Sequence, residues 1–335
     1  MGVKMHYMSY LLGVDVYLDT TINDILFTGK LVKSLLIDAN PQLKEVFAKV
    51  RGIQPKLIHI TPLYEISNGK IKCLYSYAIV DMKNRIVKKY KTILRSGVYR
   101  FYIGFIEDDV NGAVNFDAIY NTLLNISGLH RFRRHNVKID LVSIDIINIY
   151  THIRNLVKEL LRSKGKLRII FSSPTLLRDP LRMNKQKSLI PTPMNIFSTP
   201  VYITSYLLGE LKRKTIIETL VLLHRLLNEP YSIYNTVSIK WVIYDKSKQP
   251  IPTITGYVNL HLNETYYESY SKKLNIEELL EKIFTITSTL GTGTSRAAGF
   301  GHTILQLSNH SNGWLPKKSE GISKYSKIRL INPHY

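Results

Sequence analysis

The pattern of apolar and polar positions switches repeatedly between strand-like runs and helical spacing. Residues 7–18 read as a strand, and residues 27–37 as a helix with Leu31, Val32, Leu35 and Leu36 on one face. Asn40-Pro41 interrupts that helix, and a second, short one over 42–50 stops at Gly52. Residues 56–66 alternate as a strand, 71–81 and 87–94 read as a strand pair, and 98–107 gives another strand. A helix over 116–126 and a long strand over 137–149 complete the order β-α-β-β-α-β, the ferredoxin-like arrangement, with its middle hairpin elaborated.

A basic helix over 151–163 ends at Gly165, and a fresh strand starts at Lys166 and runs into Ser172-Ser173-Pro174-Thr175. Residues 178–200 hold Pro180, Pro191, Pro193 and Pro200 and read as irregular. A long helix over 201–227, a hairpin of 237–244 with 253–262, an amphipathic helix over 276–290 and a strand over 302–307 follow. The same element order thus occurs twice. The fold class expected is α+β, two tandem ferredoxin-like (RRM-like) domains at 1–164 and 165–308, with a basic tail at 309–335. The repeat is one of topology, since the halves share no visible sequence identity.

Charge narrows the partner. Among 335 residues, 46 Lys and Arg stand against 25 Asp and Glu, a net +21. Such an excess attracts polyanions, and nucleic acid is the first to test. Hydrophobic residues at 44% and charged residues at 21% fit a globular protein of two domains. The lone Cys73 excludes an internal disulfide and a cysteine-built zinc site, and points to a reducing, cytoplasmic compartment. The N-terminus lacks the layout of a signal peptide, and His6 breaks the myristoylation pattern that Met1-Gly2 begins. No apolar run reaches the ~18 residues of a membrane span, and no cofactor motif is present.

The most conspicuous segment is residues 291–301, with Gly291, Gly293, Gly299 and Gly301 between the last helix and the last strand. It lacks the Gly-Lys-Ser/Thr ending of a P-loop, and Arg296 stands where a dinucleotide fingerprint needs its third glycine. One reading is a tight structural connection. The other is a backbone cradle for RNA phosphates, with Thr292, Thr294, Ser295 and Arg296 as side-chain donors. Lys30 and Lys33 lie three apart on the first helix and share a side of it. Lys56 opens the next strand, so the three amines converge on one phosphate or remain three solvated lysines. His59, three residues on, points away from Lys56 and reads as a packed or surface histidine. The histidines show no metal-ligand spacing, and no acidic cluster suggests a two-metal nuclease.

The segments Phe27–Leu36 and Arg51–Leu63, the strand ending Ser173-Pro174-Thr175-Leu176-Leu177, the hairpin Val237–Trp241 with Thr255–Val258, and the loop ending Gly299-Phe300-Gly301 resemble the CRISPR precursor-RNA processing endoribonucleases of the repeat-associated (RAMP) superfamily. The likeness covers most of residues 10–308. It implies two ferredoxin-like domains and metal-independent cleavage of repeat RNA by its own 2′-hydroxyl, leaving a 2′,3′-cyclic phosphate and a 5′-hydroxyl, to generate guide RNAs. It implies the repeat RNA as partner, with subunits of a CRISPR interference complex and a second copy of the chain as further candidates. Many members carry a histidine where Ala48 stands here, and a tyrosine where Lys33 stands. This chain is similar instead to archaeal members with lysine-built sites. On that resemblance Lys30, Lys33 and Lys56 form the catalytic set, and Gly291, Gly293, Thr294, Ser295, Arg296, Gly299 and Gly301 bind RNA. The competing expectation is a catalytically silent RNA-binding subunit of a CRISPR effector complex.

Overall fold

The structure is a computed structural model. It describes residues 7–48, 53–67, 70–81, 83, 85–108, 114–132, 135–182, 187–229, 233–245 and 248–308. The expected stop at Gly52, the Arg51-Gly52 part of the family-like motif and the basic tail lie outside the described residues.

In the first half, strands β1 (Tyr7–Leu18) and β2 (Ile22–Ile25) precede helices α1 (Thr28–Ala39) and α2 (Leu43–Phe47). Then come β3 (Ile58–Ile60), β4 (Tyr64–Ser67), β5 (Lys70–Cys73), β6 (Tyr77–Val80), β7 (Ile86–Tyr90), β8 (Thr92–Leu94), β9 (Gly97–Asp108), α3 (Phe116–Leu124), β10 (Gly128–Phe132) and β11 (His135–Ile147). The second half runs α4 (Ile149–Ser163), β12 (Lys166–Thr175), β13 (Leu177–Arg178), β14 (Lys187–Ser188), α5 (Pro193–Leu207), α6 (Arg213–Leu226) and β15 (Leu227–Asn228). It continues with β16 (Val237–Val242), β17 (Ile251–Leu262), α7 (Glu264–Ser271), α8 (Ile276–Leu290) and β18 (Thr303–Leu307).

The central strands of the first sheet lie in the order β11-β1-β9-β4, with β3 also on β9, and all these pairs are antiparallel. The second sheet repeats the arrangement as β18-β12-β17-β16, again antiparallel. Numbered within each half, both orders are fourth-first-third-second, the topology of two tandem ferredoxin-like units. Pro62 explains why the expected strand over 56–66 splits into β3 and β4, because proline cannot donate to a ladder.

Four elements depart further from the pattern read in the sequence. The hairpin β6–β7 leaves the first sheet and adds to the second, where Ala78 and Tyr77 sit opposite Trp241 and Val242. The stretch read as irregular folds into α5, because Pro193 occupies the first helical turn and the Thr192 side chain caps it at the Asn195 N–H. Helix 201–227 is correspondingly two helices, broken at Gly209 with φ +70°. Helix α4, although it precedes Gly165, packs Ile153, Val157 and Leu160 into the second core.

One face of β1 sends Leu12, Val14, Val16 and Leu18 into the first core with Leu31, Val32, Leu35 and Leu36 of α1. The other face sends Leu11, with Tyr64 and Tyr102, into the second core. The centre of the first sheet is therefore buried on both sides. A side chain on Gly104 of β9 would strike the Thr289 backbone of α8, so the units meet there at backbone distance.

Candidate active site

Helix α1 is fixed at its first residue. Buried Thr28 donates to the Leu74 carbonyl at 2.6 Å and accepts from the Leu63 N–H at 2.9 Å. One turn on, Lys33 points toward the end of α2. Its Nζ donates to the Phe47 carbonyl at 3.2 Å, and Lys56 Nζ donates to the same oxygen at 2.8 Å. That carbonyl belongs to the last turn of a helix, where carbonyls have no helical partner and accept outside donors. Two ammonium groups share one neutral acceptor there, half-buried, with the Lys33 amine also 5.3 Å from the Phe47 ring centre.

The electrostatic result is asymmetric. Burial, the neighbouring Lys33 charge and then Arg296 pull the Lys56 ammonium down to about 8. Burial also lowers Lys33. A lysine near 8 exchanges its proton close to neutral pH, the range a general base needs.

Lys30 is placed differently. It forms an ion pair with Asp245 at 3.7 Å and lies 3.9 Å from the ring centre of Tyr244. The structure thus brings Lys33 and Lys56 together on one oxygen and binds Lys30 to the far end of the β16 hairpin.

The glycine loop turns inward. Gly291, Gly293, Gly299 and Gly301 are all buried and all have positive φ. A Cβ on Gly293 would collide with the Leu176 carbonyl. Its N–H groups largely meet protein carbonyls: Thr292 donates to Gly301 at 2.8 Å, Thr294 to Leu176 at 2.8 Å, Gly299 to Arg296 at 3.1 Å and Gly301 to Pro174 at 3.0 Å. Thr294 is half-exposed and Ser295, at φ +61°, is exposed. Thr292 Oγ1 donates to the Ile196 carbonyl.

Arg296, expected to grip RNA backbone, turns inward. It is 6% exposed, and its guanidinium donates to the Leu290 carbonyl at 3.0 Å and the Lys56 carbonyl at 2.9 Å. Burial and nearby Arg178 bring it down to about 10. Arg296 therefore holds the Lys56 backbone. Phe300 stacks on Phe27, the residue before α1, at 4.5 Å and 13°. The loop braces both lysine-bearing segments from behind. The sequence offered a tight structural connection as one reading of this loop, but not which segments it would support; the Arg and Phe among its small residues were the available signal.

His59 is fully buried, away from the lysine pair. Its Nδ1 faces the Arg296 carbonyl at 3.1 Å, so that nitrogen carries the proton. Its Nε2 then accepts from His302 Nδ1 at 3.2 Å. Burial first, and then charge neighbours, push His59 well below the usual imidazole range, and burial lowers His302 to about 3. Both rings are neutral struts between the halves. Among the described residues, no three His, Cys, Asp or Glu side chains gather as a metal site, and no helix is long and apolar enough to cross a membrane.

No family model matches the sequence, and no curated protein matches it. Solved structures do share the fold. A Cas6 product complex matches 89% of this chain and 100% of its own, with TM-score 0.53 and 14% identity. Thermus thermophilus Cas6 matches 90% and 99%, with TM-score 0.51 and 14% identity. A partial Cas6-RT-Cas1–Cas2 complex matches 93% of this chain and 48% of its own, with TM-score 0.53 and 14% identity. At this identity the likeness is one of fold.

Proposed function

We propose that this chain is a Cas6-type endoribonuclease that cuts CRISPR repeat RNA in a precursor transcript, using lysines in place of histidine. The observation that carries the reading is the shared Phe47 carbonyl, on which Lys33 and Lys56 converge. The tandem ferredoxin-like fold, its likeness to Cas6 structures and the sequence resemblance support it.

A phosphate oxygen entering the site replaces the Phe47 carbonyl as acceptor for both amines. Lys56 in its neutral form takes the proton from the 2′-hydroxyl. The 2′-oxygen bonds to phosphorus, the bond from phosphorus to the 5′-oxygen breaks, and the leaving oxygen takes a proton from the Lys33 ammonium or from water. The phosphorane gains negative charge on the way, and the fixed Lys33 cation stabilises it more than the ground state. Lys30 contacts a flanking phosphate, released from Asp245 by the stronger anion. Of the glycine loop, only Thr294 and Ser295 on its exposed rim meet RNA, and the buried glycines hold that rim in place. No divalent ion takes part in this scheme. Repeat RNA and, after cleavage, the subunits of an interference complex are the proposed partners.

Purified protein incubated with end-labelled repeat RNA in EDTA is expected to give one cut with a cyclic phosphate terminus. Deoxy substitution of the nucleotide 5′ to the cut is expected to abolish it. A stable mobility shift without a cut would overturn the enzyme reading in favour of a silent RNA-binding subunit.

A further inference from the structure

A line of aromatic rings leads away from Lys30 across the outer strands of the second sheet. Lys30 lies over Tyr244, whose ring is 5.6 Å from Phe27, and Phe27 bridges Tyr75 through the backbone. Tyr75 is 6.2 Å from Tyr77, and Tyr77 stacks on Tyr90 at 4.8 Å and 16°. The register explains the line. Tyr77 pairs with Tyr90 across β6–β7 and with Val242 across β6–β16, so these residues share one face. Tyr75 and Tyr244 lie two residues from Tyr77 and Val242 and continue the same face.

Lysines interleave with the rings. Lys240 lies 5.1 Å from the Tyr77 ring and Lys88 lies 4.9 Å from the Tyr90 ring. No acidic residue occurs in β6, β7 or β16. The tyrosines are half-exposed, and Ile79, beside them on the same face, is 45% exposed. A hairpin that only closed a sheet edge would gain from the Tyr77–Tyr90 stack but not from the cations set along it. Alternating flat rings and cations are the means by which proteins hold single-stranded nucleic acid: bases stack, and phosphates meet ammonium groups.

We propose that this face is a track for single-stranded RNA, in which bases stack on Tyr77 and Tyr90 while Lys88 and Lys240 hold phosphates. The track leads toward Lys30, one helical turn from Lys33. That the strand ends in cleavage rests on the function proposed above; the track itself does not.

The test uses the full chain and an oligouridylate carrying 4-thiouridine. Photocrosslinking followed by peptide mapping is expected to mark Tyr77 or Tyr90, in wild type and in Lys56→Ala alike. In anisotropy titrations, Tyr90→Ala is expected to weaken binding about tenfold, while Tyr90→Phe stays within about twofold. Lys88→Gln, which leaves both rings in place, is expected to lower the slope of log affinity against log salt by about 0.7. Crosslinks confined to other surfaces, no binding of the oligouridylate by wild type, or equal affinity in Tyr90→Ala would each overturn the track. If wild type crosslinks at Tyr77 or Tyr90 yet never cuts repeat RNA, the track stands and the nuclease reading falls. If wild type cuts repeat RNA and Tyr90→Ala binds as tightly, the track alone falls.

Discussion

The lysine pair and the glycine loop divide the work in a way that their sequences do not advertise. The loop is the most unusual stretch of the chain, yet its glycines are buried and its N–H groups are largely spent on neighbouring carbonyls. Lys33 and Lys56 are two among 46 basic residues, yet they share an acceptor in a half-buried recess. Density of glycine here reports how closely backbones pack. Chemical poise comes from two ordinary amines held where water is scarce and repulsion is strong.

Substitution breaks this contrast most directly. Lys56→Ala is expected to slow cleavage of repeat RNA about 10³-fold, and Lys33→Ala about 10²-fold, with binding affinity nearly unchanged. Single-turnover rates beside anisotropy titrations check this. Equal loss of rate and affinity would return these residues to the binding surface. Arg296→Ala is expected to act on the fold instead, lowering stability by about 2–4 kcal/mol through a cavity and two unpaired carbonyls. Denaturant titration reads that loss, and an unchanged midpoint would undo the bracing role.

Acidity sharpens the same division. With Lys56 at about 8 in the free protein, the rate at subsaturating RNA is expected to rise about tenfold per pH unit up to pH 8 and then level. A rate falling above pH 8 would make Lys56 an acid or a purely cationic stabiliser. The buried His59–His302 pair affects stability rather than rate. Both imidazoles are lowered in the folded state, so the unfolded chain binds more protons below its own value of about 6.5. Stability is full above that pH and is lost as pH falls toward 3 for His302. A melting temperature that declines between pH 6.5 and 4, and declines less in His302→Phe, is the expected result. The smallest effect is Lys56→Met, which relieves a half-buried, crowded cation and is expected to raise the midpoint by roughly 1–2 °C.

Much of the architecture was legible in the chain because periodicity reports which face of an element is buried. Leu31, Val32, Leu35 and Leu36 announced the packed side of α1, and the repeated element order announced two similar units. What escaped was information that no local window contains. Nothing between residues 77 and 90 states which sheet that hairpin joins, since Ala78 meets Trp241 only in space. Proline density hid α5, because Pro193 is favourable at a helix start and only its position distinguishes that from a loop. At the site, spacing put Lys30 beside Lys33 but could not foresee Asp245, which comes from the other unit. The loop's glycines require positive φ whether they cradle a ligand or a neighbouring strand, so the sequence left those two uses open.

The exchange of β6–β7 into the second sheet has a bearing on biogenesis. A nascent chain reaches Tyr90 long before β16 exists, so this ribbon waits without its neighbour while the ribosome adds more than a hundred residues. The halves therefore mature together: severed at Gly165, the leading fragment would carry β6 with its outer edge bare, and the trailing fragment would leave β16 bare on the side that β6 covers. Co-expression of both fragments, rather than either alone, is the route by which a split form would assemble.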